Sequence, residues 1–112
     1  MSRYIENIFQ ELKDELKAKE NEIQALKDAT GDVEEFSITA DEGEKIPFQI
    51  GEVFVLETPD TVLSLIETKK EEAEGSVKDI ENKMDAVKGV MTDLKTHLYA
   101  KFGDAINLEA DD

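Results

Sequence analysis

Between residues 73 and 98 the apolar side chains Ala73, Val77, Ile80, Met84, Val87, Met91, Leu94 and Leu98 step by four and three without a break. That spacing draws a stripe along one face of an α-helix, and a helix carrying it buries the stripe against a second helix in a heptad seam. Val62 and Ile66 lead into the stripe, and Thr58-Pro59-Asp60 announces its start. Threonine caps, proline suits the first helical position, and aspartate sits well at the positive end of the helix dipole. Gly103 supplies a residue able to close the helix. The pattern predicts a helix over 58–102, roughly 66 Å long at ~1.5 Å per residue. Gly75 and Gly89 fall opposite the seam, where each costs about 1 kcal/mol of helix propensity without disturbing packing.

A second seam runs through Ile5, Phe9, Leu12, Leu16, Ile23 and Leu26, with Lys19 as the single exception. Ala29-Thr30-Gly31 interrupts it, so the spacing predicts a first helix over 2–30, roughly 43 Å long. Two heptad helices of one chain pair antiparallel when a hairpin joins them.

The hairpin is written in 46–57. Ile46-Pro47-Phe48-Gln49-Ile50 and Val53-Phe54-Val55-Leu56 flank Gly51-Glu52. A two-residue loop with glycine first fits a tight turn, because glycine tolerates positive φ. Ile46, Phe48 and Ile50 alternate with proline and glutamine, whereas Val53 to Leu56 is apolar on both faces. A lone two-stranded hairpin is marginal in water, and a strand apolar on both sides needs cover on both sides. This hairpin is therefore expected to join a larger sheet that the chain alone does not supply.

Residues 31–45 are predicted to be an acidic connector. From Asp28 to Glu44 the chain carries Asp28, Asp32, Glu34, Glu35, Asp41, Glu42 and Glu44 and no Lys or Arg, with a short strand expected around 36–39. A solvated loop and an acidic docking surface both fit that composition.

The chain has 112 residues, which argues for one domain, yet its 39% hydrophobic content is thin for a self-sufficient core. Its formal charge of -15 repels phosphate backbones, so nucleic acid is not an expected partner and basic protein surfaces are. Without cysteine there is no disulfide and no thiolate site, and the lone His97, beside the seam, is read as solvated. No run reaches the ~20 apolar residues of a membrane span and the start lacks a signal peptide's apolar region, so a cytosolic protein with no membrane partner is expected. Catalysis is not expected either: acid–base work needs a water-restricted pocket, and neither a phosphate-binding loop nor metal-ligand spacing is present. No cofactor follows from the sequence.

Helix, hairpin, helix is the plan of the β-type subunits of the prefoldin family, and two stretches resemble the subunit-4 branch of that family. One is Ile46-Pro47-Phe48-Gln49-Ile50-Gly51-Glu52-Val53-Phe54. The other, more specific, is Asp93 through Asp112, with Leu98-Tyr99-Ala100-Lys101-Phe102-Gly103 followed by Ile106-Asn107-Leu108-Glu109. The resemblance implies a mainly α fold, an antiparallel two-helix coiled coil joined through a β-hairpin that completes an intersubunit β-barrel. It implies a heterohexamer of two α-type and four β-type subunits, so that this chain's partners are two α-type and three further β-type subunits. It also implies an ATP-independent chaperone that binds unfolded client proteins, such as actin and tubulin, and delivers them to the group II chaperonin. Chains of that branch usually begin earlier. With helix one near 29 residues and helix two near 44, residues from about Leu94 are then expected to lack an intrachain partner and to expose apolar surface.

On that reading the client-binding tip comprises Ile5, Ile8 and Phe9 near one terminus and Leu98, Tyr99, Phe102, Ile106 and Leu108 near the other. Ile5, Phe9 and Leu98 are equally well read as ordinary seam residues, and Met84 and Met91 as core. The subunit interface comprises Ile46, Phe48, Ile50, Gly51, Val53, Phe54, Val55 and Leu56. The acidic tail over 103–112 ends in Glu109-Ala110-Asp111-Asp112, either a chaperonin contact or a solubilising tail. A structural coiled-coil subunit of an assembly scaffold, without client contact, is the alternative function.

Overall fold

The computed structural model describes residues 3–103. Four elements follow one another: α1 (Arg3–Thr39), β1 (Ile46–Ile50), β2 (Val53–Glu57) and α2 (Pro59–Phe102). The fold is thus mainly helical, two long helices joined by a two-stranded antiparallel hairpin, as the two seams and the intervening strands imply.

Helix α2 begins and ends where its sequence signals stand. The Val62 amide donates to the Thr58 carbonyl at 3.0 Å, and the Thr58 hydroxyl donates to that of Thr61 at 3.1 Å. At the other end Gly103 takes φ +60°, the left-handed conformation that closes a helix.

Helix α1 corrects the expectation of an end near Thr30. It continues through Gly31 to Thr39, so the expected connector over 31–45 shrinks to 40–45 and the expected strand around 36–39 is helical. The reason is a contest of magnitudes. A mid-helix glycine costs about 1 kcal/mol. Val33 lies seven residues beyond Leu26, on the same seam, and is only 2% exposed; burying such a side chain is worth about 1.5–3 kcal/mol. Burial wins, and the helix crosses the glycine. Thr30, half-buried on the seam, satisfies its hydroxyl by donating to the Leu26 carbonyl at 3.1 Å. The chain then turns: Glu44 N–H donates to the Asp41 carbonyl at 3.0 Å, Asp41 N–H donates to Glu44 Oε1 at 3.1 Å, and Gly43 sits at φ +79°.

The chain divides into two compact units. One contains Lys19–Ser76; the other contains the residues up to Ala18 and those from Val77. In the first, Val33, Val62 and Ile66 form a buried cluster on which Leu26, Ala29, Leu63, Ile46 and Phe48 pack. Lys19, the seam's exception, is half-buried and pairs with Glu22 at 3.2 Å. In the other unit Leu12 and Ile80 are buried, and Ile5, Leu16, Met84, Val87, Met91, Leu94 and Leu98 are half-buried. Leu94 and Leu98 are therefore partly covered rather than bare, a correction to the expected unpartnered stretch. Gly75 and Gly89 are exposed, as their places opposite the seam require.

Candidate functional site

Two surfaces carry the residues singled out in the sequence. The first is the hairpin. Its strands pair antiparallel with Ile46 opposite Glu57, Pro47 opposite Leu56, Phe48 opposite Val55, Gln49 opposite Phe54 and Ile50 opposite Val53. Gly51 opens the turn at φ +60°, and among the described residues none other than glycine has positive φ, which matches a type II′ turn.

Directly paired residues share a face. One face therefore carries Ile46, Phe48, Ile50, Val53, Val55 and Glu57; all but Val53 are half-buried, and Ile46 and Phe48 rest on the Val33–Val62–Ile66 cluster. The other face carries Pro47, Gln49, Phe54 and Leu56, and it is open: Phe54 is 71% exposed and Leu56 60%. The interface residues expected from the sequence thus divide. Ile46 and Phe48 pack on the chain's own cluster and Val55 is half-buried on the same face, while Phe54 and Leu56, with Val53 at the turn, are exposed. Beside the turn lies a cleft of about 430 Å³ whose lining includes Leu26, Ala29, Phe48 and Ile50 together with Glu22 and Lys69.

The second surface belongs to the other unit. Tyr99 and Phe102 are half-exposed, and Lys101 Nζ stands 5.4 Å from the Phe102 ring centroid. Ile5, Ile8, Phe9 and Leu98 are half-buried in or beside the seam. Phe9 in particular is flanked by two ammonium groups, Lys13 Nζ at 4.9 Å and Lys88 Nζ at 5.8 Å from its centroid. Ile106 and Leu108, and the tail beyond Gly103, lie outside the described residues.

Three exposed apolar side chains were not singled out from the sequence: Tyr4 at 73%, Ile38 at 81% and Val90 at 48% exposure. The signal was present, since each is an apolar residue off the heptad positions and so cannot reach the seam. Tyr4 and Val90 belong to the same unit as Tyr99 and Phe102, and Ile38 to the unit with the hairpin.

Among the described residues no group of three His, Asp or Glu side chains is placed to hold a metal ion, and no helix is long and apolar enough to cross a membrane. What the surfaces offer is apolar contact area and main-chain edges.

Comparison with known proteins agrees with this geometry. The family described as "Prefoldin subunit" matches residues 3–105. Human "Prefoldin subunit 4" is 36% identical over 102 residues, covering 91% of this chain and 74% of the relative. "Probable prefoldin subunit 4" of Drosophila melanogaster is 37% identical over 102 residues, covering 91% and 71%. "Prefoldin subunit 4" of Saccharomyces cerevisiae is 30% identical over 95 residues, covering 85% and 70%.

Proposed function

The chain belongs to the prefoldin family, and from that premise we propose that it is a subunit-4-type, β-class member that binds non-native polypeptides and passes them to the cytosolic group II chaperonin without ATP. The observation that carries this reading is the open apolar face of the hairpin. A two-stranded sheet is marginal alone, and exposed Phe54 and Leu56 give a shared β-barrel, built with two α-type and three further β-type subunits, something to bury.

Client binding needs contact area that is accessible and weak at each site, with several arms multiplying the affinity through effective concentration. Tyr99 and Phe102 supply such area on α2, and Tyr4 adds to it on α1. Cytoplasmic clients, actin and tubulin among them, fit the reading taken over from the family. Catalysis and a cofactor have no part in it.

Light scattering of the chain with the other prefoldin subunits tests assembly: one heterohexamer is the expected species. Phe54→Asp and Leu56→Asp should abolish it while leaving the Val33–Val62–Ile66 cluster intact. Within the assembled complex, Tyr99→Ser with Phe102→Ser should reduce suppression of client aggregation without changing mass. The half-burial of Ile5, Ile8, Phe9 and Leu98 favours a second reading, a structural subunit of an assembly scaffold with no client contact. That reading expects the serine variants to keep full activity.

A further inference from the structure

Methionine is confined to one of the two units. Met84 and Met91 lie one heptad apart on the α2 seam, Met1 lies outside the described residues, and Lys19–Ser76, the unit with the hairpin, has none. Both seam methionines are half-buried, so each belongs to the seam and is also within reach of solvent. Met84 lines a cleft of about 440 Å³ whose lining includes Leu16 of α1 and the polar side chains of Lys78, Asn82, Asp85 and Lys88. A cleft with that lining fills with water, and a small polar oxidant enters wherever water does.

The same unit has little buried core to spare. Among the described residues only Leu12 and Ile80 are buried there, while Leu16, Val87, Leu94 and Leu98 are half-buried. Methionine fills such a seam adaptably, and oxidation turns it from an apolar side chain into a polar one. Hydrogen peroxide is the simplest oxidant for the step. The sulfur lone pair attacks one peroxide oxygen, the S–O bond forms as the O–O bond breaks, and sulfur gives up two electrons. The proton on the transferred oxygen passes to the departing hydroxide, which leaves as water. The sulfoxide oxygen is a hydrogen-bond acceptor, and the flanking seam residues Ile80, Val87 and Leu94 carry no side-chain donor. An oxygen kept on the seam is left without a partner; one turned to water draws its side chain off the seam. Either way packing between α1 and α2 in this unit is lost.

We propose that Met84 and Met91 are a peroxide-sensitive modification site, and that their conversion to sulfoxides loosens the helix pairing of this unit and enlarges the apolar surface it offers to non-native polypeptides. The surface gained is that of Leu12, Leu16, Ile80 and Val87, in the unit that already exposes Tyr4, Tyr99 and Phe102. The inference rests on the reading of this chain as a client-holding prefoldin subunit and adds an oxidative control to it. The effect is local. The hairpin unit holds no methionine and keeps its Val33–Val62–Ile66 cluster, so assembly is unaffected. It is also reversible, because methionine sulfoxide reductases return each sulfoxide to the thioether.

Leucine is the matched control, because exchanging Met for Leu conserves volume and is among the best-tolerated core changes. Prefoldin complexes carrying either the unmodified chain or Met84→Leu with Met91→Leu are treated with hydrogen peroxide, and peptide mass spectrometry follows oxygen uptake at each methionine. Both methionines should oxidise while the complex keeps its mass in light scattering. Hydrogen exchange should then speed up about tenfold or more over residues 3–18 and 77–103, the scale of one buried polar group left unpartnered, and stay unchanged over 19–76. Suppression of client aggregation should rise in the unmodified complex, stay level in the leucine variant, and fall back after treatment with methionine sulfoxide reductases. Met84→Gln with Met91→Gln, which places a polar amide on the seam, should speed exchange without peroxide. Methionines that resist peroxide until the complex unfolds overturn the site. Oxidation that leaves exchange in this unit unchanged, or speeds it equally in the leucine variant, overturns the loosening. Faster exchange with no gain in client holding overturns the added surface and leaves the prefoldin-subunit reading intact. An untreated complex that holds no client overturns the client-holding reading itself, and the gain in holding with it.

Discussion

The ammonium of Lys88, on α2, lies 5.8 Å from the centre of the Phe9 ring on α1, and Lys13 covers the same ring at 4.9 Å. Phe9 is thereby committed to its own unit. A cation over an aromatic face at a partly exposed site contributes about 0.5–1 kcal/mol. A double-mutant cycle of Phe9→Leu and Lys88→Ala, followed by urea unfolding, should show a coupling of that size. Additive single mutants would mean that the ring and the ammonium are neighbours without energetic consequence.

Gly31 sits inside α1 with nothing within 4 Å of where a Cβ would stand, whereas Gly51 holds φ +60° in the hairpin turn. Gly31→Ala should raise stability by about 0.5–1 kcal/mol, because alanine removes backbone entropy at no steric cost. Gly51→Ala should lower it, since the added Cβ is strained at positive φ. Thermal melts of the two variants, shifting in opposite directions, are the expected outcome; a destabilised Gly31→Ala would place a helix end at that residue after all.

Ile66 is 1% exposed and Ile38 is 81% exposed, so one residue type probes two environments in the same unit. Ile66→Ala should cost about 2–5 kcal/mol through lost transfer energy and the cavity left behind. Ile38→Ala should stay within about 0.5 kcal/mol of the parent. Chemical denaturation of both variants checks the core directly, and similar losses would mean that Ile38 is covered.

With 28 acidic against 13 basic residues the folded chain repels itself. The ion pairs Lys19–Glu22, Lys69–Glu72 and Lys70–Glu67, each between residues three apart and at least partly exposed, contribute about 0–1 kcal/mol apiece and are screened by salt. Repulsion is the larger effect. Raising salt from about 10 mM to about 150 mM, where the screening length falls to ~8 Å, should therefore raise the melting temperature. A fall would show that attractive pairs dominate.

The seams, the hairpin turn and both ends of α2 were legible in the residues, because each rests on local chemistry. Heptad spacing puts Leu12, Ile66, Ala73 and Ile80 on buried faces. Thr58, Pro59 and Gly103 mark their helix ends through the conformations they favour, and Gly51 marks the turn through the φ it alone tolerates there. The end of α1 was not legible by the same means. Gly31 and seven acidic side chains between residues 28 and 44 spell a loop locally, and only the burial of Val33 against Val62 and Ile66 overrides them. Nor could alternation say which side of β2 stays open, because Val53, Phe54, Val55 and Leu56 are all apolar. By itself the sequence determined the order of two seamed helices and the hairpin between them, since propensity and periodicity act over a few residues; residues 31–39, which read locally as a loop with a short strand, are helical. Where α1 stops, and that Phe54 and Leu56 face outward while Phe48 and Val55 face the helices, was decided by tertiary structure, because long-range burial outweighs a local penalty of about 1 kcal/mol.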